Sequence, residues 1–496
     1  MLPRFSRRSF LGFALGGAAT AAGAGDLSVS LRPQLRPGEL YKKAIAGADA
    51  IIAKARLTGH VCYAVADLET GEIREGGNSD LGTAPASVAK AITALYSIDV
   101  LGAEYRFETR VLARGTISGG ILDGDLILVG GGDPTLDTDD LAELASALKD
   151  AGLREVRGRF LVADGINPRI HSIDRGQPDH VGYSPAVAGI ALNFNRVHFG
   201  WERQGKGYAV SMDARTARYR PEVSVARMRV EDRSAPIYTY KKGRDRDDWT
   251  VAKRALGSGG ARWLPVRNPA LYAGDVFQTL VRSHGIVLKR PVAMRGMPGG
   301  AVVATHQSAP LIEILQGMLR YSTNITAEMV GLAASRKRRG LVSSLEASAN
   351  EMNLWAAQKL GVEGLALVDH SGLGSDSRMT ASSMVRALVR AHQDGALRPI
   401  LREVTMRDGQ GRPDKSHPIR VRAKTGTLNF VSGLAGYMTP GKGPEMAFAI
   451  FAADEAIRAR ISRAERERPP GARGWNRKAR ALQQALIERW GAVYGS

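Results

Sequence analysis

The chain has 496 residues, 44% of them hydrophobic and 24% charged, with 57 Gly and 22 Pro spread along its length, the profile of a globular protein of about two to four domains. A single cysteine, Cys62, excludes an internal disulfide and reads as a small buried hydrophobe. The net charge of +20 favours polyanionic partners, but no nucleic-acid module occurs among the basic stretches; anionic wall polymer or lipid headgroups suit this charge, as does a plain soluble basic surface.

The first residues, MLPRFSRRSFLGFALGGAATAAGAG, place Arg7 and Arg8 before a weak apolar run that ends in the small residues Ala22-Gly23-Ala24. This resembles a twin-arginine export signal, so residues 1–24 are expected to be removed and the mature protein to work in the periplasm, away from nucleic acid. The apolar run is too short and too rich in Gly and Ala to span a membrane, which takes about 20 residues. Next, GHVCYAVADLETGEIREGG alternates and turns like a strand pair, and SVAKAITALYSIDVLG switches to helical spacing. After Tyr105 the chain becomes short strands and Gly turns, with TDDLAELASALKDAGL as a charged helix. Residues 178–262 read as strand-rich, looped and strongly basic. Helical periodicity returns in PALYAGDVFQTLVRSHGI, APLIEILQGMLRY, NITAEMVGLAAS and SLEASANEMNLWAAQKLG. IRVRAKTGTLNFVSGLAGYM and EMAFAIFAAD read as strands, and NRKARALQQALIERWGAVY closes the chain as a helix. Elements of one type thus bracket a β-rich middle, so the flanks are expected to form one α/β (α+β) domain interrupted by a long insertion.

Several chemical patterns fail. GYMTPGKG has phosphate-loop spacing without the Ser/Thr and with Pro440 inside it, so it is a turn between strands. No HExxH, paired CxxC or GxSxG occurs, and the nine His fall in no ligand spacing, so the spacing points to neither metal nor cofactor. Three motifs remain. Ser87 and Lys90 in PASVAK share one helix face, with Cβ atoms roughly 5–6 Å apart, within reach of a hydroxyl-to-amine hydrogen bond. They form either a nucleophile and its base or one turn of a solvated helix, and Ser146 and Lys149 repeat the spacing. Lys424-Thr425-Gly426-Thr427 lies in a strand, where Gly426 either permits close approach of a backbone or ligand or is an ordinary strand glycine. A Ser-x-Asn occurs twice: Ser348 and Asn350 lie within a helical pattern, where i and i+2 diverge. Ser322 and Asn324 fall at a break between two helices, where both side chains can face one cleft.

The ordered triple Ser-x-x-Lys, Ser-x-Asn, Lys-Thr-Gly resembles the signature of the penicillin-recognising serine enzymes. From Ser87 to Ser322 is 235 residues and from Ser322 to Lys424 is 102, a spacing similar to that of the D-alanyl-D-alanine carboxypeptidase/endopeptidases of the DacB type, peptidase family S13. PASVAKAITAL, VGGGDPTL, ALNFNRVHF, YSTNITAEM, DHSGLGSDSR and AKTGTLNFVSGLAGY resemble that family in order across nearly the whole mature chain. The middle motif departs from the commoner Ser-Asp-Asn, and Thr427 is often Ser. The resemblance implies a transpeptidase/β-lactamase-like domain over residues 38–104 and 302–496, with two nested β-rich inserted domains, 105–177 with 263–301 and, within it, 178–262.

It further implies hydrolysis of peptidoglycan stem peptides ending in D-Ala-D-Ala through an acyl-enzyme on Ser87, with β-lactam antibiotics as covalent inhibitors and no cofactor. Endopeptidase action on cross-links belongs to the same implication. Lys90 would be the general base, Lys424 would help keep it neutral and attract the substrate carboxylate, Ser322 would relay a proton and Asn324 would hold Lys90. The amides of Ser87 and Thr427 would form the oxyanion hole, with Thr425 and Gly426 lining the substrate strand. Asp133 either makes an Asp-Pro turn or faces the cleft; Arg378 and Asn429 either contact substrate or are a surface Arg and a strand Asn. Glu328, similar in place to a hydrolytic Glu of class A β-lactamases, reads as structural. In the last helix Leu482, Leu486, Trp490 and Val493 either pack on a sheet or dock on a membrane surface. The rival functions are a β-lactamase and a non-catalytic wall-binding scaffold.

Overall fold

The computed structural model describes residues 45–495; the segment 1–24 expected to be an export signal lies outside them. Strands from the two ends of the chain meet in one five-stranded antiparallel sheet, in the order Arg420–Leu428, Val431–Thr439, Met446–Ala453, His60–Asp67, Ile73–Gly77. His60 pairs with Ala453 and Asp67 with Met446. The central strand Met446–Ala453 is buried at every position, which is why MAFAIFAA is apolar without alternation: both faces of this sheet are covered.

The two faces sort by parity. Cys62, Ala64, Ala66, Ala447, Ala449 and Phe451 point into a core shared with the helices Ala89–Leu101, Leu311–Tyr321, Asn324–Arg339, Leu345–Leu360 and Ala381–Asp394. Val61, Tyr63, Val65, Phe448 and Ile450 point the other way, onto the C-terminal helix Ala472–Tyr494. Small residues on the first face let the many helices approach; larger ones on the second fill the space under a single long helix. Leu482, Leu486, Trp490 and Val493 are buried in that second layer, so the apolar side of the last helix is engaged with the sheet rather than free for a membrane surface. Among the described residues no helix is long and apolar enough to cross a membrane.

Between Leu101 and Leu311 the chain leaves this core and returns at a pinched neck. Ser308 N donates to Phe107 O at 2.9 Å, Ser308 Oγ accepts from Phe107 N at 2.9 Å, and Arg106 donates to Ser308 O at 2.7 Å. The excursion builds a six-stranded mixed sheet around Glu108–Ser118, Ile121–Val129 and Phe160–Ala163, edged by Pro291–Met294 and the returning strand Ala301–Gln307. The helices Thr138–Asp150 and Pro269–Ser283 pack with it. Asp137 and Asp140 form a capping box at the start of the first, and Pro269 opens the second at a position needing no amide hydrogen. Two three-stranded sheets from residues 196–265 share the same apolar core.

Trp490 is fully buried beside Tyr63 and Phe448, with ring centroids 6.1 Å away in each case. Trp490→Ala is expected to destabilise the protein by about 3–5 kcal/mol, read as an earlier chemical-denaturation midpoint.

Candidate active site

Ser87 sits in a tight turn, Ala86–Val88, that runs into the helix Ala89–Leu101. Ala86 has φ +46, a left-handed conformation unfavourable for a residue with a Cβ and held only where the surroundings enforce it. Two glycines supply that enforcement. A Cβ on Gly372, itself at φ +71, would stand 1.9 Å from Ala86 O, and one on Gly426 would stand 2.7 Å from Pro85 O and 3.1 Å from Ser87 N. The serine turn is therefore clamped between a loop and a strand edge at distances only glycine permits, and Gly426 is a close-approach glycine rather than an ordinary one.

One turn on, Lys90 is fully buried. Its Nζ donates to Ser87 Oγ at 2.9 Å, Asn324 Oδ1 at 2.7 Å and Ser371 O at 2.8 Å. Removal from water pushes its pKa down to about 8, against the opposing pull of the Glu328 and Asp369 carboxylates. Of the three partners only the Ser87 hydroxyl can turn round and donate. When Lys90 is neutral, its two hydrogens stay on Asn324 and Ser371 and its lone pair faces the Ser87 proton.

Ser322 has φ +59 and ψ 38, a single left-handed residue between the helices Leu311–Tyr321 and Asn324–Arg339. That break turns two side chains two residues apart toward one cleft. Ser322 Oγ accepts from Lys424 Nζ at 3.0 Å, while Asn324 reaches Lys90 on one side and donates to Tyr183 O at 2.9 Å on the other. Lys424 is buried, and its pKa is pushed well below the usual lysine range by burial first, then by the charges of Lys90 and Arg402. The other pair, Ser348 and Asn350, lies in the helix Leu345–Leu360, where buried Ser348 bonds Ser335 Oγ and His370 Nε2. Ser146 and Lys149 lie on the helix Thr138–Asp150 of the excursion.

Lys424 belongs to the edge strand Arg420–Leu428. Ala423 N donates to Arg402 O and Val404 N to Val421 O, at 3.0 and 2.8 Å, so odd-numbered residues aim their peptide groups away from the neighbouring strand. The register continues unbroken to Leu428. Residues 402–404 cover this edge only at 421–423; by the same alternation Thr425 and Thr427 present theirs to the cleft, and Thr425 O accepts from Lys424 Nζ at 2.7 Å. The edge beside Ser87 thus has the amides an extended peptide would need to add as a strand.

The cleft has a volume of about 640 Å³, with Ser87, Ser322, Asn324 and Thr427 at one side and Arg378, Asn429, Arg458 and Tyr183 around it. Arg378 lines this wall while donating to the carbonyls of Ser375 and Ser377 at 2.7 and 3.0 Å, and the Asn429 amide is engaged by Arg466 O. Asp133 does not line it. Its buried carboxylate accepts from Thr135 N and Oγ1 at 2.8 and 2.7 Å, which is the turn-forming arrangement and corrects the cleft-facing alternative.

Three further contributors lie outside the three motifs; of these, the sequence singled out Glu328, as structural. Glu328, fully buried, accepts from His370 N and Ser371 N at 3.0 Å each; burial and then the Asp369 charge push its pKa up to about 8. Asp369 caps Gly372 N and Gly374 N at 2.7 and 2.6 Å. These two carboxylates hold the turn that carries the Ser371 carbonyl and Gly372. Tyr183 arrives from the excursion, and nothing in its sequence context marks it.

A half-exposed serine hydroxyl against a buried amine, with a second buried amine across the cleft and an open strand edge alongside, defines a serine acyl-transfer enzyme of the Ser-Lys type. The model of the D-Ala-D-Ala carboxypeptidase 3 (S13) family matches residues 45–467, and the chain belongs to that family. It is 30% identical over 485 residues to a D-alanyl-D-alanine carboxypeptidase of Actinomadura sp. (strain R39), covering 86% of each chain. It is 27% identical over 394 residues to D-alanyl-D-alanine carboxypeptidase DacB of Haemophilus influenzae, covering 74% of this chain and 79% of that one. The crystal structure of penicillin binding protein 4 (dacB) from Haemophilus influenzae superposes with a TM-score of 0.70 at 20% identity, over 82% of this chain and 93% of that one. It shares the multi-domain transpeptidase-like fold. The protein is a serine-type D-Ala-D-Ala carboxypeptidase.

Because the serine turn rests on Gly426, Gly426→Ala is expected to displace it from the strand edge and slow acylation by a fluorescent penicillin about 10- to 100-fold, measured by stopped labelling against time. A rate within twofold of wild type would show that the close approach is not needed.

Proposed function

We propose that the protein removes the terminal D-alanine from peptidoglycan stem peptides ending in D-Ala-D-Ala through an ester on Ser87. Neutral Lys90 takes the Ser87 proton as Oγ attacks the carbonyl carbon between the two D-alanines. The developing oxyanion is received by the amides of Ser87 and Thr427; a single such donor is typically worth about 10²–10³ in rate. Lys90 passes the Ser87 proton by way of Ser322 to the departing D-alanine amine, returning to its neutral form, and the carboxylate of the departing D-alanine is drawn to Lys424. Water then cleaves the ester with Lys90 again accepting a proton, which it hands back to Ser87 Oγ. Thr425, Gly426 and Thr427 seat the peptide as an added strand, and Arg378 and Asn429 contact it farther along the cleft.

The observation that carries this reading is the 2.9 Å approach of fully buried Lys90 Nζ to Ser87 Oγ, with Asn324 and Ser371 O occupying the other two positions around the nitrogen. A β-lactam meets the same hydroxyl with the same carbonyl geometry and acylates it. The twin-arginine-like segment 1–24 delivers the enzyme to the periplasm, where its substrate lies. A net charge of +20 draws it toward anionic wall polymer and, more loosely, toward anionic lipid headgroups.

Release of D-alanine from a stem-peptide analogue is expected to vanish in Ser87→Ala and to fall by about 10²–10⁴ in Lys90→Met, with folding retained by circular dichroism. A wild-type protein that folds yet releases no D-alanine would refute the proposal. Because the base must be neutral, kcat/KM for acylation is expected to rise with pH and level off above about 8, the value to which burial lowers Lys90. A profile flat from pH 6 to 9 would contradict Lys90 as the base. The penicilloyl adduct is expected to persist for minutes or longer; turnover within seconds would instead favour a β-lactamase.

A further inference from the structure

We propose that the excursion between residues 101 and 311 holds a Zn²⁺ ion between Asp133, Asp140, Glu143 and His306, away from the cleft. Asp133 follows the strand Ile121–Val129, Asp140 and Glu143 lie one turn apart on the helix Thr138–Asp150, and His306 stands on the returning strand Ala301–Gln307. His306 Nε2 lies 3.7 Å from Asp140 Oδ1 and 4.0 Å from Asp133 Oδ2. One oxygen or nitrogen each from Asp140, Glu143 and His306 fall within 4.8 Å of one another. Ligands around a tetrahedral Zn²⁺ at ~2.0–2.1 Å stand about 3.3 Å apart, so the contacts of His306 with Asp140 and Asp133 must each shorten by less than an ångström, the exposed Glu143 must swing in, and Asp133 must close on the other three.

Two features distinguish this cluster from an ordinary acidic helix start. The first is Asp133: the residue is only 2% exposed, Thr135 occupies Oδ1, and Oδ2 faces His306 with no hydrogen-bond partner. A buried carboxylate oxygen left bare keeps its full desolvation penalty, and a cation removes that cost. The second is the division of labour among the neighbouring acids. Asp137 Oδ1 caps the amides of Asp139 and Asp140, Asp140 Oδ2 accepts from Asp137 N, and Asp139 is bonded to Thr216 Oγ1. The oxygens not engaged in this way, Asp133 Oδ2, Asp140 Oδ1 and the Glu143 carboxylate, converge on one imidazole. Glu143 also comes within 3.9 Å of Arg218, an exposed pair that yields readily. The imidazole favours a transition-metal ion over Mg²⁺ or Ca²⁺, and Zn²⁺ also accepts Asp and Glu oxygens as ligands. The ion would pin the returning strand to the helix and to the Asp133 turn, so its effect is on stability and not on acylation.

The test titrates Zn²⁺ into EDTA-dialysed full-length mature protein, following heat by calorimetry and unfolding by a thermal melt. Wild type is expected to take up one equivalent at micromolar concentration and to melt at higher temperature as Zn²⁺ rises. His306→Ala and Asp133→Asn are each expected to weaken binding about 10-fold or more, and Glu143→Gln less, with penicillin labelling unchanged in His306→Ala. Should Asp133→Asn fail to fold, His306→Ala and the conservative His306→Gln decide. No saturable uptake by wild type, or uptake as tight in His306→Ala as in wild type, would overturn the site.

Discussion

The structure turns on keeping one lysine out of water. An ammonium loses much of its solvation on burial, and the protein answers by surrounding Lys90 Nζ with three oxygen acceptors at 2.7–2.9 Å, enough to tolerate the charge and too few to favour it fully. Each acceptor comes from a different stretch of chain. Ser87 lies in the turn that runs into the helix of Lys90, Asn324 opens a second helix 234 residues later, and the Ser371 carbonyl projects from a turn whose backbone amides are held by the buried Glu328 and Asp369 carboxylates. The two carboxylates also pull the Lys90 pKa upward against burial. Two opposing influences, desolvation and buried negative charge, bring an ordinarily permanent cation to the edge of neutrality near physiological pH, as a general base requires.

The same pocket explains the topology. A nucleophile turn needs a strand edge beside it whose amides are not already paired. That edge comes from the last third of the chain, while the turn itself follows the first strand pair. Closing the sheet between His60–Asp67 and Met446–Ala453 brings them together, and the small side chains on one face of those strands admit the helices that carry Lys90 and Asn324. A pinched neck at Phe107 and Ser308 lets about two hundred residues depart and return without disturbing this arrangement. The excursion is not idle scaffolding with respect to the cleft: Tyr183 returns from it to accept a hydrogen bond from Asn324, tying the inserted region to the residue that holds the base.

Local pattern carried the motifs and the flanking elements because each rests on short-range physics. Ser87 and Lys90 meet through helix spacing alone, yet Ser146 and Lys149 have the same spacing; what separates them is burial, which only the assembled core decides. Ser322 and Asn324 were legible because a break between two apolar helical patterns marks a turn, whereas Ser348 sat inside one unbroken pattern. Gly426 was ambiguous in sequence, since its reason lies in a backbone from residue 85. Glu328 reads as structural and does support a turn, but its link to the base through Ser371 spans elements that no periodicity connects. Asp133 shows the limit in the other direction: an Asp-Pro pair predicts a turn well, and family likeness alone suggested a cleft residue. The cluster of Asp133, Asp140, Glu143 and His306 has no spacing signal, because its histidine arrives on a strand more than 150 residues after the helix it faces.

The most direct measurement is the site of covalent attachment. Intact-protein mass spectrometry after brief exposure to benzylpenicillin, followed by peptide mapping, is expected to show a single penicilloyl group, located on Ser87 and absent when Lys90 is replaced by Met at the same exposure. An adduct on any other residue, or the same extent of attachment with Lys90 replaced, would contradict the claim that a buried, uncharged lysine activates this serine.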